Sequence, residues 1–274
     1  KNPTQLSLQG FRIDMRDIEV NLRFSVDPQF ILVDHLENGA GGDIEVLREY
    51  GVPFEVLDRD GCIRAEPGLA AVRDIFVGGL RLPDDETGDC HLFTQRLERL
   101  ATALGVQFVY GTTVKSIDVS GGRVSQITTD RGVFTADKFV VALGSFSPLL
   151  LKPLDLDIPV YPVKGYSITA PIIDPERAPR HSLTDESRRI VCSRLGNVLR
   201  VAGTAELNGF DLSPNPARSA SIVNWLEEHL PGAADIEQAQ HWCGLRPATP
   251  SNVPLIGRTR IDNLYLNTGH GTLG

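Results

Sequence analysis

From residue 43 onward the spacing of apolar positions predicts alternating helices and strands. Ile44, Leu47 and Tyr50 recur at helical spacing, and Gly51 supplies a stop. A longer helix is expected over His91 to Leu104. Asp89 is its N-cap, Leu92, Phe93, Leu97, Leu100 and Leu104 line one face, and Gly105 ends it. Period-two runs follow at residues 106–110, 113–119, 123–129 and 133–136, with Gly121-Gly122 turning the second into the third. The run from Lys138 to Leu143 is nearly all apolar, the pattern of a central strand in a layered α/β sheet, and it stops at Gly144-Ser145. Ligands in open α/β sheets gather at the carboxyl ends of such strands.

Beyond Pro159 the pattern is mostly β. Residues 161–169 form one strand, and 189–195 pairs with 198–207 across Gly196-Asn197. A helix is expected over residues 217–230, with Ile222, Trp225, Leu226 and His229 on one side, and Pro231-Gly232 stops it. A last short strand covers 264–267. Long antiparallel strands with one helix suggest a second domain over a ligand site. Residues 1–42 have no clean period. Phe30 to Asp34 reads as one buried strand, and Gly39 to Gly42 breaks the chain.

Composition narrows the classes. Apolar residues make up 41% and charged residues 23% of 274, ordinary for a globular chain with a substantial core. The net charge of −8 without a basic tract argues against nucleic acid as a partner, because phosphates need clustered cations. No apolar run approaches the ~20 residues that span a bilayer, and residues 1–10 hold no hydrophobic signal core, so a cytoplasmic location is expected. Cys62, Cys90, Cys192 and Cys243 form no C-x-x-C pair and are expected to be buried, inert thiols in a reducing compartment.

Three places hold candidate chemistry. The segment Gly269-His270-Gly271-Thr272-Leu273-Gly274 follows the last strand, and its three glycines let backbone approach a ligand closely. Taken alone, an ordinary glycine-rich turn explains it equally well. Arg246 is stiffened by Pro247, Pro250 and Pro254, and an aimed guanidinium holds a carboxylate in a fork. By spacing alone, a salt bridge within the protein accounts for Arg246 better. Tyr166 lies on a strand, where a phenol can share a carboxylate with Arg246 or simply be a half-buried strand residue. Lys164 is read as a solvated side chain. The histidines show no metal-ligand spacing, so no metal is expected, and hydrolase elbows and Walker loops are absent.

Four segments resemble one family, in matching order and separation: GLRLPDDETGDCHLFTQ (79–95), IPVYPVKGYS (158–167), WCGLRPATP (242–250) and LNTGHGTLG (266–274). They resemble the small subunit of bacterial D-amino-acid dehydrogenases, within the D-amino-acid oxidase and glycine oxidase superfamily. The resemblance runs from about residue 43 to 274. It implies an α/β (mixed α+β) fold, with an incomplete Rossmann-like FAD-binding domain and an antiparallel-sheet substrate domain. By that analogy residues 84–150 and 245–274 belong to the FAD side and 43–83 and 151–244 to the substrate side, with 1–42 unassigned.

The resemblance implies FAD as cofactor. Val114 is expected toward the adenosine, Leu143, Gly144 and Ser145 near the pyrophosphate or ribitol, and Gly269, His270, Gly271, Thr272 and Leu273 facing the flavin. Arg246 is expected to clamp the carboxylate of a D-amino acid, helped by Tyr166. The implied reaction gives a 2-oxo acid and ammonia, with electrons passing to a respiratory quinone or similar acceptor and peripheral attachment at the inner membrane. The family opens with a strand and a G-x-G-x-x-G turn; no such turn is read anywhere in the chain, and residues 1–42 do not resemble that opening, so a partial chain is expected. Alternatives are an oxygen-using, glycine-oxidase-like enzyme, a dehydrogenase for another secondary amine, or a cofactor-free remnant that binds only a small acid or a partner protein.

Overall fold

The computed structural model describes residues 5–8, 11–14, 29–33 and 40–271. Its elements in chain order begin with β1 (Gln5–Leu8), β2 (Phe11–Asp14), β3 (Gln29–Val33), α1 (Ala40–Glu49), β4 (Glu55–Asp58), α2 (Arg59–Ala65), β5 (Gly78–Leu82) and α3 (Cys90–Ala103). Then come β6 (Val114–Ser120), β7 (Arg123–Thr129), β8 (Gly132–Phe134), β9 (Phe139–Val141), α4 (Ser147–Leu151) and β10 (Tyr161–Pro171). The chain continues with β11 (Ser182–Asp185), β12 (Ile190–Leu195), β13 (Val198–Glu206), α5 (Pro216–His229), β14 (Gln240–Ala248), β15 (Leu255–Arg258) and β16 (Leu264–Thr268). The chain divides into two compact units. The first comprises residues 1–108, 167–204 and 215–241, and the second 109–166, 205–214 and 242–274.

The first unit is built on a mixed sheet with the order β13-β12-β11-β3-β5-β4. Neighbours pair antiparallel except β3 with β11, which run parallel. The expected strand near Phe30 is thus β3, inside this sheet. Ile44 and Leu47 of α1 pack with Phe54 around Leu80, whereas Tyr50 points to solvent.

Two helices of fourteen residues show what patterning does and does not decide. In α5, Asn215 caps the first turn, and Ile222, Trp225, Leu226 and His229 are all buried, as their spacing predicts. In α3, the Asp89 carboxylate accepts from the amides of His91 and Leu92 at 3.0 Å each, so the predicted cap is there. Yet no residue of α3 is buried, and Leu92 and Leu97 lie exposed. The strand expected at 106–110 does not form: the segment is irregular, and Val106, Phe108, Val109 and Tyr110 are exposed. Strand-like composition needs a neighbour to bond with, and none stands beside this run among the described residues.

The second unit holds two three-stranded sheets, β6-β7-β8 and β15-β16-β9. The first is the predicted meander, with its hairpin at Gly121-Gly122, both at positive φ. In the second, β9 and β16 run parallel. The apolar run expected as a central strand is instead at the edge of the described sheet: Phe139 and Val141 are buried, but Val140 is exposed. Ile117, Val124, Phe139, Val141, Leu151 and Leu264 form the core that joins the two sheets. Asn263 fastens them with buried polar bonds. Its amide oxygen accepts from Val124 N at 2.8 Å, its amide nitrogen donates to Val124 O at 3.0 Å, and its own carbonyl accepts from Phe139 N at 2.8 Å. Buried polar groups satisfied this fully fix a single packing.

Candidate functional site

Two loops at the carboxyl ends of parallel neighbours frame the site. After β9 the chain turns through Leu143, Gly144 and Ser145, and after β16 through Gly269, His270 and Gly271. Gly144, Gly269 and Gly271 all have positive φ (54°, 79° and 63°), which other residues reach only with strain. The loops are tied to each other, since Thr268 donates its hydroxyl to Gly144 O at 3.0 Å and shares a 3.0 Å hydrogen bond with the buried Ser147. This is the crevice where open α/β sheets take ligands.

Strand β14 is bound to both loops. Ser145 Oγ donates to Leu245 O at 3.3 Å, and Gly271 N donates to Pro247 O at 2.9 Å. These two carbonyls flank Arg246, so its backbone is held on either side by the glycine loops. The guanidinium is aimed by a further glycine. A Cβ on Gly165 of the adjacent strand β10 would lie 2.5 Å from Cζ and Nη2 of Arg246 and 2.8 Å from Nε. Only a residue without a side chain permits that approach. Arg246 is partly buried, and burial pulls its pKa down, but a guanidinium stays charged at any ordinary pH.

Tyr166 follows Gly165 directly on β10. Successive strand residues point to opposite faces, and Gly165 marks the face of β10 turned to Arg246. Tyr166 and Lys164 therefore point to the face opposite Gly165. Buried Tyr166 donates its hydroxyl to the Glu206 carboxylate. Lys164 is also buried rather than solvated: its ammonium donates to Ser213 O at 2.9 Å and lies 3.2 Å from Glu206 and 3.5 Å from Asp211. Burial alone would pull the Lys164 pKa down, but hydrogen bonds to Glu206 and Tyr166 and the charges of Asp211 and Glu206 hold it above its ordinary value. This ionic cluster closes β10 to the segment 205–214 and makes a satisfied rear wall.

Leu143, Gly144, Ser145, Arg246, Gly269, His270 and Gly271 are brought together, and Val114 lies on the separate sheet, at the start of β6 opposite Thr129. Thr272 and Leu273 lie outside the described residues. Gly269, Gly271 and Gly274 have the G-x-G-x-x-G spacing after a strand, which corrects the expectation that the chain holds no such spacing anywhere. Sequence reasoning missed Gly165, Lys164 and Glu206. A lone glycine inside a strand pattern signals close approach by another group, and that signal was present at Gly165. Of the thiols, Cys62 and Cys192 are buried, and burial pushes the Cys62 pKa up to about 11. Cys90 is exposed, contrary to expectation, and Cys243 is partly exposed and donates to Leu212 O.

A family model described as FAD dependent oxidoreductase matches residues 18–274. The D-amino acid dehydrogenase of Rhodopseudomonas palustris (strain HaA2) is 63% identical over 234 residues, 85% of this chain and 55% of that protein. The D-amino acid dehydrogenase of Bradyrhizobium diazoefficiens is 54% identical over 237 residues, 86% of this chain and 56% of that protein. The chain thus spans little more than half the length of these curated relatives. The crystal structure of L-proline dehydrogenase from P. horikoshii superposes with a TM-score of 0.79 at 17% identity, over 95% of this chain and 73% of that one. At that identity the likeness is one of fold.

Proposed function

The chain belongs to the family of FAD-dependent oxidoreductases, and from that premise we propose that it serves the oxidation of D-amino acids to 2-oxo acids and ammonia. The observation that carries the proposal is the bonding of Leu245 and Pro247 to the two glycine loops, which makes Arg246 and the ligand crevice one rigid piece. The identity to two D-amino acid dehydrogenases supports the choice of substrate.

The described residues fit the cofactor in part. Two left-handed glycine loops at the ends of parallel strands offer close backbone approach, and Leu143, Gly144, Ser145, Gly269, His270 and Gly271 would hold FAD there, with Val114 toward its adenosine end. Among the described residues no helix of eight or more residues begins at either loop to receive phosphates. When bound, FAD supplies the acceptor for the α-hydrogen and its electron pair. The chain's own part is orientation. Arg246 takes the α-carboxylate through paired N–H donors, and fixing the carboxylate fixes which face of the α-carbon is presented. Loss of the α-hydrogen and an amine proton leaves an imino acid, which water converts to the 2-oxo acid and ammonia. Lys164, Tyr166 and Glu206 act behind β10 by holding the strand that carries Gly165.

We further propose a cytoplasmic protein, peripheral on the inner membrane, that passes electrons to a respiratory quinone. The family resemblance supports this reading, and no described helix is long and apolar enough to cross a membrane. The test is to supply D- and L-alanine to the FAD-supplemented protein with an artificial electron acceptor, then assay pyruvate and ammonia. Product from D-alanine alone is expected. Product from neither isomer, with flavin visibly bound, would refute the proposal, and peroxide in place of reduced acceptor would favour the oxygen-using reading.

A further inference from the structure

Arg246 does not stand alone on its face of β14. Residues two apart in a strand share a face, so Trp242, Gly244 and Arg246 form a row. The indole of Trp242 folds along that row. A Cβ on Gly244 would lie 2.1 Å from Cη2, 2.6 Å from Cζ2 and 3.0 Å from Cζ3 of Trp242. The six-membered ring therefore occupies the space over Gly244. Each planar group on this face has its glycine: Gly165 seats the guanidinium and Gly244 seats the indole.

The second observation is exposure. Trp242 remains 57% exposed, while Trp225, the other tryptophan, is 1% exposed. An exposed indole folded along the strand, on the face that also carries Arg246, presents an apolar surface on the side of a carboxylate-binding group. The carboxylate is common to every amino acid, so the apolar surface is the contact that can tell one from another.

We propose that Trp242, seated on Gly244, is the subsite for the substrate's side chain, and that it favours apolar substituents on a carboxylate held by Arg246. The proposal rests on the reading of Arg246 as the carboxylate group. An apolar contact that the bound ligand shields from water discriminates by about 10- to 200-fold. Trp242 is thus a specificity-determining residue, and Gly244 is the positioning residue that lets the ring lie where it does.

Unreactive acids separate this idea from its premise. Propionate and 3-phenylpropionate lack the amine and cannot be oxidised. Their affinities are measured by calorimetry on the FAD-supplemented protein, on Trp242→Ala and on Trp242→Phe. The preference for 3-phenylpropionate is expected to fall about tenfold in Trp242→Ala and to be largely kept in Trp242→Phe, while propionate binding changes far less. Phenylpropionate is also expected to alter tryptophan emission in the wild type but not in Trp242→Phe, which retains only Trp225. Equal weakening of both acids, or an unchanged preference, overturns the subsite and leaves the Arg246 reading standing. Failure of the wild type to bind either acid overturns both.

Discussion

The two tryptophans mark two ways of placing a planar group, one closed and one open. In the first unit, Trp225 is sealed: its indole N–H donates to Asp185 at 2.7 Å, and its ring stacks on His229 with centroids 4.4 Å apart. His229 Nδ1 is 2.9 Å from Trp225 O, and Asp185 also accepts from Ser187 and from Arg188 N. Every group in that cluster finds its partner within the protein, and the arrangement serves to fasten α5. In the second unit, Trp242 and Arg246 are laid over glycines, with Trp242 exposed and Arg246 partly buried. A satisfied buried network specifies the fold, whereas an exposed planar group seated over a glycine keeps surface that a ligand can cover.

The contrast is broken most forcefully by opening the sealed cluster. Trp225→Ala is expected to cost about 3–5 kcal/mol of stability, read from the urea midpoint, with carboxylate affinity of the folded protein unchanged. Loss of affinity without loss of stability would show that the cluster is not merely structural.

A smaller effect is expected where a seat is filled. Gly165→Ala places a methyl 2.5 Å from the Arg246 guanidinium. The guanidinium can swing away, so D-amino-acid affinity is expected to fall by about 1–3 kcal/mol, with FAD retention and the urea midpoint little changed. A variant that binds substrate normally would mean that Gly165 does not aim Arg246.

The smallest effect concerns acid. Burial, above all, pulls the His229 pKa below its ordinary value of about 6.5. The unfolded chain therefore takes up the proton first, and stability is lost as pH falls from about 6.5 toward the folded value. Burial pushes Asp185 up, but hydrogen bonds from Ser187, Trp225 and Arg188 outweigh it and hold its carboxyl below the usual range, which adds a loss of the same sign at lower pH. His229→Gln is expected to flatten the decline that begins near pH 6.5. An unchanged slope would assign it to other groups.

Much of the local structure was legible because its causes are local. Asp89 and Asn215 cap the helices their sequences announce, and Gly121-Gly122 and Gly196-Asn197 turn the hairpins they predict. What failed depends on partners distant in the chain. Residues 106–110 and 138–143 have strand composition, yet only a neighbouring strand decides whether a run pairs or becomes central. Lys164 looked solvated because Glu206 and Asp211 lie more than forty residues away in sequence. Arg246 was legible through its prolines and the family resemblance, but its alignment with Gly165 is a cross-strand fact. The face that Tyr166 takes depends on strand register, where a one-residue step reverses the face.

The central claim is that Arg246, fixed between the two glycine loops, holds the carboxylate of the substrate. Equilibrium titration of Arg246→Ala and Arg246→Lys with propionate, alongside their visible flavin absorbance, tests it most directly. The account expects a loss of about 2–5 kcal/mol in carboxylate affinity for Arg246→Ala and a partial loss for Arg246→Lys, which keeps the charge but not the fork, with flavin binding retained in both. Parallel loss of flavin and propionate, or undiminished propionate binding, would contradict it.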